Sequence, residues 1–447
     1  MIQSHKGFDG SRTPEINGAN EINGPYRIVH TCRVCGSGSL TPYLDLGLMP
    51  LVNRYLSRAE LDIEEPRFPL KVLLCDTCSL SQLSVVIDPR ILFSDYSYFS
   101  SVSQTFQHHC QIMAESLQKE FGLSPSDLVV EIASNDGCLL SKFKARGMRV
   151  RGVEPARNLA RLTEGEGIPT LCEFWGKDAA DKIAAMDGKA KVVVATNVLA
   201  HVDDVHGFIG AVKELLNPKG VFVFEVPYMV HFIDRTEFDT TYHEHLSYFL
   251  LRPLKRVLEA NGMQIVDALE FSIHGGTLRV IAQIEGSGQL KPKSSVGEIL
   301  ELEEGKGLYG TAPYFLCADR VQLIREELSV FVKGLKANGR RIAAYGASAK
   351  GNILLNYCAL GPEFIDYVVD DTPAKQGKFY PGNHLPIVDR NVLHTNKPDY
   401  LLLLAWNFAD ELMRNTKEYG ITGGRYVIPI PALHVVAVSP EKRRHPS

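Results

Sequence analysis

No apolar run in these 447 residues is long enough to cross a bilayer; the most extended, such as Tyr400 to Trp406, are far too short. The first thirty residues are polar and rich in Asn and Gly, with neither the apolar core nor the cleavage site of a secretory signal. An excess of positive charge is missing as well. Lys and Arg number 48 against 52 Asp and Glu, a net charge of −4, which argues against nucleic acid as the main partner. These absences predict a cytoplasmic protein that uses neither a membrane nor a nucleic acid. In that compartment its nine cysteines serve as thiols or metal ligands rather than disulfides.

Cys32-Arg-Val-Cys35 and Cys75-Asp-Thr-Cys78 are two Cys-x-x-Cys knuckles, each able to take two corners of a tetrahedral zinc. A shell closed by Cys32, Cys35, Cys75 and Cys78 leaves no position for water, so the metal is expected to be structural; a redox dithiol and plain buried cysteines are the competing readings. The cysteines at 110, 138, 172, 317 and 358 show no ligand spacing.

Asp95 to Ser101 is aromatic and rich in hydroxyls, and either covers a ligand, with Tyr96 as the candidate contact, or packs. It leads into an expected helix over 104–121. Leu128 to Gly137 reads as a buried strand that turns sharply into a helix beginning near Cys138, with small residues, Ala133, Ser134 and Gly137 among them, where backbone approaches a ligand. A second strand ends at Glu154, placed to accept hydrogen bonds from ribose hydroxyls. The loop has few glycines, and alone it is a weak signal. Glu131 paired with Glu154 resembles class I S-adenosylmethionine methyltransferases more than dinucleotide enzymes. Asn197 and His201 follow the strand ending at Thr196, on the sheet edge where open α/β folds bind ligands, although His201 is also suited to cap the next helix.

Phe238 to Phe249 crowds Tyr242, His243, Glu244 and His245 among aromatics, groups that move protons near neutral pH. The His-x-His pair makes only a weak metal site, for want of a third ligand. His274-Gly275-Gly276 enters a strand that finishes the domain, and a Gly/Ser/Lys/Pro run over 285–297 marks a boundary. After a helix stripe at Val321, Ile324, Leu328, Phe331 and Leu335, a second strand-loop-helix carries Gly346, Ser348 and Lys350, which suit a diphosphate at a helix N-terminus.

Taken together, the two knuckles, Glu131-Ile-Ala-Ser-Asn-Asp-Gly137, Asn197-Val-Leu-Ala-His201, Tyr242-His-Glu-His245, His274-Gly-Gly-Thr277, Tyr345-Gly-Ala-Ser-Ala-Lys-Gly351 and Lys375-Gln-Gly377 resemble the three-domain sugar C-methyltransferases. Those enzymes methylate nucleotide-linked keto-deoxysugars on the way to branched sugars such as tetronitrose and the novobiocin sugar. Ala133, where the general methyltransferase loop has Gly, is a departure. Residues 1–29, rich in Asn, Gly and Ser and without hydrophobic periodicity, are expected to form a disordered tail with no counterpart in that family. The resemblance implies an α/β protein: a Cys₄ zinc-binding domain over 30–90, a class I (Rossmann-like) methyltransferase domain over 91–297, and a second Rossmann-like domain over 298–447 that helps hold the nucleotide sugar.

It further implies S-adenosylmethionine at Glu131, Ser134, Asn135, Gly137, Glu154, Asn197 and Tyr96. The sugar nucleotide, dTDP-linked or a relative, is expected at His201, His274, Gly275 and Lys350. His245 is the implied base, with Tyr242 and Glu244 beside it and Glu244 orienting the imidazole. A zinc-containing sugar-nucleotide binding protein and an NAD(P)-dependent oxidoreductase are the alternatives, and the sequence does not give the oligomeric state.

Overall fold

The computed structural model describes residues 25–93, 99–287 and 290–438, apart from the side chain of His274. The expected tail over 1–29 lies outside the described residues up to 24, but its end does not stay free. Tyr26–Ile28 (β1) pairs antiparallel with Val85–Ile87 (β5), because Val85, Val86 and Ile87 form a buried strand that needs a partner. Between them, Leu40–Met49 (β2), Phe68–Cys75 (β3) and Ser81–Leu83 (β4) form an antiparallel sheet.

The central sheet holds Leu128–Ile132 (β6), Arg149–Val153 (β7), Thr170–Leu171 (β8), Ala190–Thr196 (β9) and Leu216–Pro227 (β10) in parallel. Ser247–Tyr248 (β11) belongs elsewhere. Met263–Phe271 (β12) and Thr277–Ile284 (β13) complete the sheet in the spatial order β8-β7-β6-β9-β10-β13-β12, with β13 the antiparallel member. All five residues of β6 are buried, as the uninterrupted apolar run around Glu131 requires of a central parallel strand. The helix Gln104–Phe121 starts at Ser103, whose side chain accepts from the amide of Phe106, and stops at the left-handed Gly122. It buries Phe106, Cys110, Met113, Ala114 and Leu117 against the central sheet.

One helix spans the position of the boundary expected at 297. The helix Ser294–Gly305 runs across it and packs on β12, anchored by Glu303, whose carboxylate accepts from the amides of Leu251 and Arg252 and from the Tyr228 and Tyr309 hydroxyls. Ala312–Ala337 is the long connecting helix. Beyond it stand Ile342–Tyr345 (β14), Val368–Val369 (β15), Ile387–Val388 (β16), Tyr400–Leu403 (β17), Arg425–Ile428 (β18) and His434–Ala437 (β19). Their order is β16-β15-β14-β17-β18-β19, parallel but for β19, an open doubly wound sheet. Among the described residues no helix is long and apolar enough to cross a membrane.

β11 joins two of these units. It pairs with β4, making the sheet order β11-β4-β3-β2, so a strand of the central domain is the edge strand of the amino-terminal module.

Candidate active site

The four knuckle sulfurs lie within 4.8 Å of one another, with Cys32–Cys78 and Cys35–Cys75 each at 3.5 Å. Tetrahedral zinc with bonds of about 2.3 Å sets sulfurs roughly 3.8 Å apart, so the donor set fits that ion with little adjustment. Both knuckles are tight turns, closed by Gly36 N–H on the Cys32 carbonyl and Ser79 N–H on the Cys75 carbonyl.

On the central sheet, the loop after β6 is held in an unusual backbone. Ala133 and Asn135 both adopt positive φ, 51° and 50°, and Asn197 at the end of β9 does the same at 56°. Glu154 fixes the loop: one carboxylate oxygen accepts from the amide of Asn135 at 2.9 Å and the other from Ala156 at 2.8 Å. Each oxygen keeps a second lone pair for a ribose hydroxyl. Asn135 Oδ1 accepts from Ser100 N–H and Asp136 Oδ2 from Ser101 N–H, tying the segment that follows Tyr96 to this loop; Tyr96 itself lies outside the described residues. Gly137 is required by the backbone itself: a Cβ there would meet Ile168 at 2.8 Å, and its φ is +75°.

Glu131 Oε2, Ser134 Oγ, Asp136 Oδ1 and Asn197 Oδ1 are buried without a hydrogen-bond partner. Burial pushes the Glu131 carboxyl well above the usual carboxylate range. Acceptors left unsatisfied on one sheet edge call for a ligand rich in donors, and the ammonium and ribose diol of S-adenosylmethionine supply them.

The turn after β10 is clamped from three sides. Trp406 of the carboxyl-terminal domain donates from Nε1 to Asp239 at 2.6 Å; Leu83 N–H bonds the Leu246 carbonyl at 2.9 Å; and Phe249 bridges to Tyr228. Held there, His245 packs its ring on Tyr242 with centroids 4.0 Å apart and meets His201 edge-on at 4.9 Å. Nδ1 of His245 donates to the Thr240 carbonyl at 2.8 Å. Burial, with His201 nearby, holds the ring well below the usual imidazole range, so it is neutral at physiological pH with its free lone pair on Nε2.

Glu244, expected to orient His245, takes a different place. Its Oε1 accepts from Asn53 Nδ2 at 2.6 Å, and the orienting acceptor for the imidazole is backbone. His243 turns away from the base, its Nε2 on the Pro69 carbonyl at 3.2 Å. His201 does not cap the next helix, a role Asp204 fills through Gly207 N–H; burial lowers the His201 ring to about 4, and its Nδ1 has no partner.

The residues expected to meet the sugar nucleotide divide. Lys350 Nζ stands 3.6 Å from Glu237 and 5.5 Å from the Trp406 ring centre, facing the central domain. Its own loop is already occupied: the Asp370 carboxylate takes Ala347 N–H at 2.7 Å and Ser348 Oγ takes Gly351 N–H at 3.1 Å. A diphosphate cradle there would place phosphate beside that carboxylate. Gly275 lines a cleft of about 410 Å³ between the two α/β domains, with Arg235, Glu237, Trp406 and Phe408. His274 contributes its backbone to the short helical turn Ile273–Gly275. Asn53 and Thr240 carry no local signal in the sequence; Arg33, set between two metal ligands, does.

Family models match in three consecutive pieces: a zinc binding domain over residues 32–93, a methyltransferase domain over 106–268, and a C-methyltransferase C-terminal domain over 272–431. The C-methyltransferase NovU of Streptomyces niveus is 36% identical over 411 residues, covering 92% of this chain and 98% of that protein. The chain belongs to the C-methyltransferase family. This C-methyltransferase is an S-adenosylmethionine-dependent enzyme with a zinc-binding module, which displaces both the binding-protein and the oxidoreductase alternatives. Solved structures overlap it only in part. Magnesium protoporphyrin IX methyltransferase of Synechocystis PCC 6803 covers 39% of this chain and 82% of its own at 16% identity and a TM-score of 0.32. A methyltransferase of Clostridium acetobutylicum covers 39% and 91% at 10% identity and 0.31. Neither adds to the sheet order described above.

Proposed function

We propose that this C-methyltransferase methylates carbon 3 of a nucleotide-linked 4-keto-deoxysugar through an enolate. The observation that carries the reading is the His245 tautomer: Nδ1–H is committed to the Thr240 carbonyl, which leaves Nε2 as a base beside the Tyr242 ring. His245 Nε2 takes the proton from carbon 3, and the electron pair of that C–H bond becomes the enolate. S-adenosylmethionine supplies an electrophilic methyl group. The new carbon–carbon bond forms as the carbon–sulfur bond breaks, and His245 passes its proton to solvent.

A ketone α-proton lies roughly a dozen pKa units above imidazole, some 16 kcal/mol at about 1.36 kcal/mol per unit. The depressed basicity of His245 widens that gap, so donors to the enolate oxygen must carry much of the barrier lowering. Tyr242 is the first candidate, with Asn197 and His201 behind it. NovU, by its name a C-methyltransferase, agrees with the reaction type and leaves the acceptor to experiment. The test is to incubate the enzyme and S-adenosylmethionine with a panel of nucleotide sugars, with and without a 4-keto group, and look by mass spectrometry for added methyl. Methylation confined to the 4-keto members supports the reading; methylation of hydroxyl oxygens, or of sugars lacking the ketone, contradicts it.

A further inference from the structure

We infer that Arg33, the residue after the first zinc ligand and inside the first knuckle, is a positioning residue for the catalytic turn, an inference that rests on His245 being the base. Its side chain is almost wholly buried, 3% exposed, and crosses from the zinc module into the central domain. Nη1 donates to two carbonyls, Leu246 at 3.1 Å and Leu83 at 3.2 Å, while Nε bonds Asp203 at 3.0 Å. Leu246 is the residue after His245, and Asp203 lies two beyond His201. One guanidinium therefore touches the chain just past each ring of the imidazole pair.

The knuckle makes this cation unusually well placed to act as a reference point. Cys32 and Cys35 flank it, so when metal closes the shell the backbone of Arg33 is fixed on both sides. Its own amide donates to Gln82 Oε1 at 2.9 Å, and Gln82 is the residue of β4 that pairs with Ser247 in β11. Planar geometry with several donors suits a group that must hold three acceptors at once, and Lys lacks it. Arg27 offers a natural comparison: it bonds the same Asp203 carboxylate but comes from β1, outside the knuckle.

The experiment compares Arg33→Met, Arg33→Lys and Arg27→Gln in the full chain. Zinc content, S-adenosylhomocysteine affinity, kcat and KM for the sugar nucleotide, and backbone hydrogen exchange over 246–248 are measured in each. Arg33→Met should keep its zinc and its S-adenosylhomocysteine affinity, lose kcat on the order of a hundredfold with KM nearly constant, and exchange faster over 246–248. Arg33→Lys keeps the buried charge, so it folds even if Met does not, and should still lose most of kcat. Arg27→Gln should stay within about threefold of wild type, against the hundredfold expected of a misplaced base.

Wild-type kcat in both Arg33 variants, unaltered exchange over 246–248, or an equal loss in Arg27→Gln would overturn the assignment. The exchange readout needs no turnover. A wild-type enzyme that methylates no keto sugar, while Arg33→Met still loosens 246–248, would refute the proposed reaction and leave the positioning intact.

Discussion

His245 donates from Nδ1 to the backbone carbonyl of Thr240 at 2.8 Å. A carbonyl only accepts, so this contact alone sets the tautomer and faces an unprotonated Nε2 toward the space shared with Tyr242 and His201. The acceptor is backbone, and no side-chain substitution removes it.

That geometry has a pH signature. Burial holds His245 well below its ordinary 6.5, so the base is already unprotonated at that pH. The acid limb of kcat should lie below 6.5, with a plateau above it. Glu244→Gln should lower activity without moving the limb, since Glu244 is bonded to Asn53 rather than placed as the orienter of the ring. A limb at or above 6.5 in the wild type, or one that shifts in Glu244→Gln, would show that the carboxylate tunes the base.

Glu154 holds two loop amides and has lone pairs to spare. Glu154→Ala should weaken S-adenosylhomocysteine binding by about 1.5 to 3 kcal/mol, the range for charge-assisted hydrogen bonds, as read by calorimetry. An unchanged affinity would move the ribose contact elsewhere.

Cys75 ends β3 and faces Cys35 across the metal site. Metal analysis of wild type should find about one zinc per chain, and Cys75→Ser should lose it and unfold at lower temperature. Active enzyme without zinc would remove the metal from the account.

His243 bonds the zinc module through Pro69, and burial lowers its ring from 6.5 to about 4. A folded-state value below the unfolded one means stability is complete above 6.5 and falls as the unfolded chain takes up its proton between 6.5 and about 4. The loss approaches roughly 3 kcal/mol at the low end, at about 1.36 kcal/mol per unit. Denaturant titrations of His243→Gln should show a shallower slope in that window. An identical slope would assign the acid sensitivity to other groups.

What could be read in the sequence follows the range of the interactions involved. The helix expected over 104–121 and the strands expected from Leu128, Lys191 and Leu278 rest on local periodicity, and the observed elements start at Gln104, Leu128, Ala190 and Thr277, within one residue of the pattern. The four cysteines announce themselves by spacing. The helix Ser294–Gly305 was hidden because its first turn, Ser294 to Gly297, falls in the run that reads as a boundary, and what orders it is Glu303 accepting from the distant amides of Leu251 and Arg252. The pairing of Ser247 with Gln82 and the bond from Asn53 to Glu244 span still longer separations and leave no local trace. Glu244 was given to His245 on adjacency in the chain, whereas a turn that closes with His245 N–H on the Tyr242 carbonyl sends adjacent side chains apart.

Removal of the carbon 3 proton by His245 before any methyl moves is read out by hydrogen exchange at that carbon. Wild-type enzyme with a 4-keto sugar nucleotide and S-adenosylhomocysteine in deuterated water should introduce deuterium at carbon 3 with no methylation. His245→Asn should bind both ligands yet exchange about a hundred- to ten-thousand-fold more slowly. Exchange at the wild-type rate in His245→Asn would contradict the account and pass the role to Tyr242 or His201.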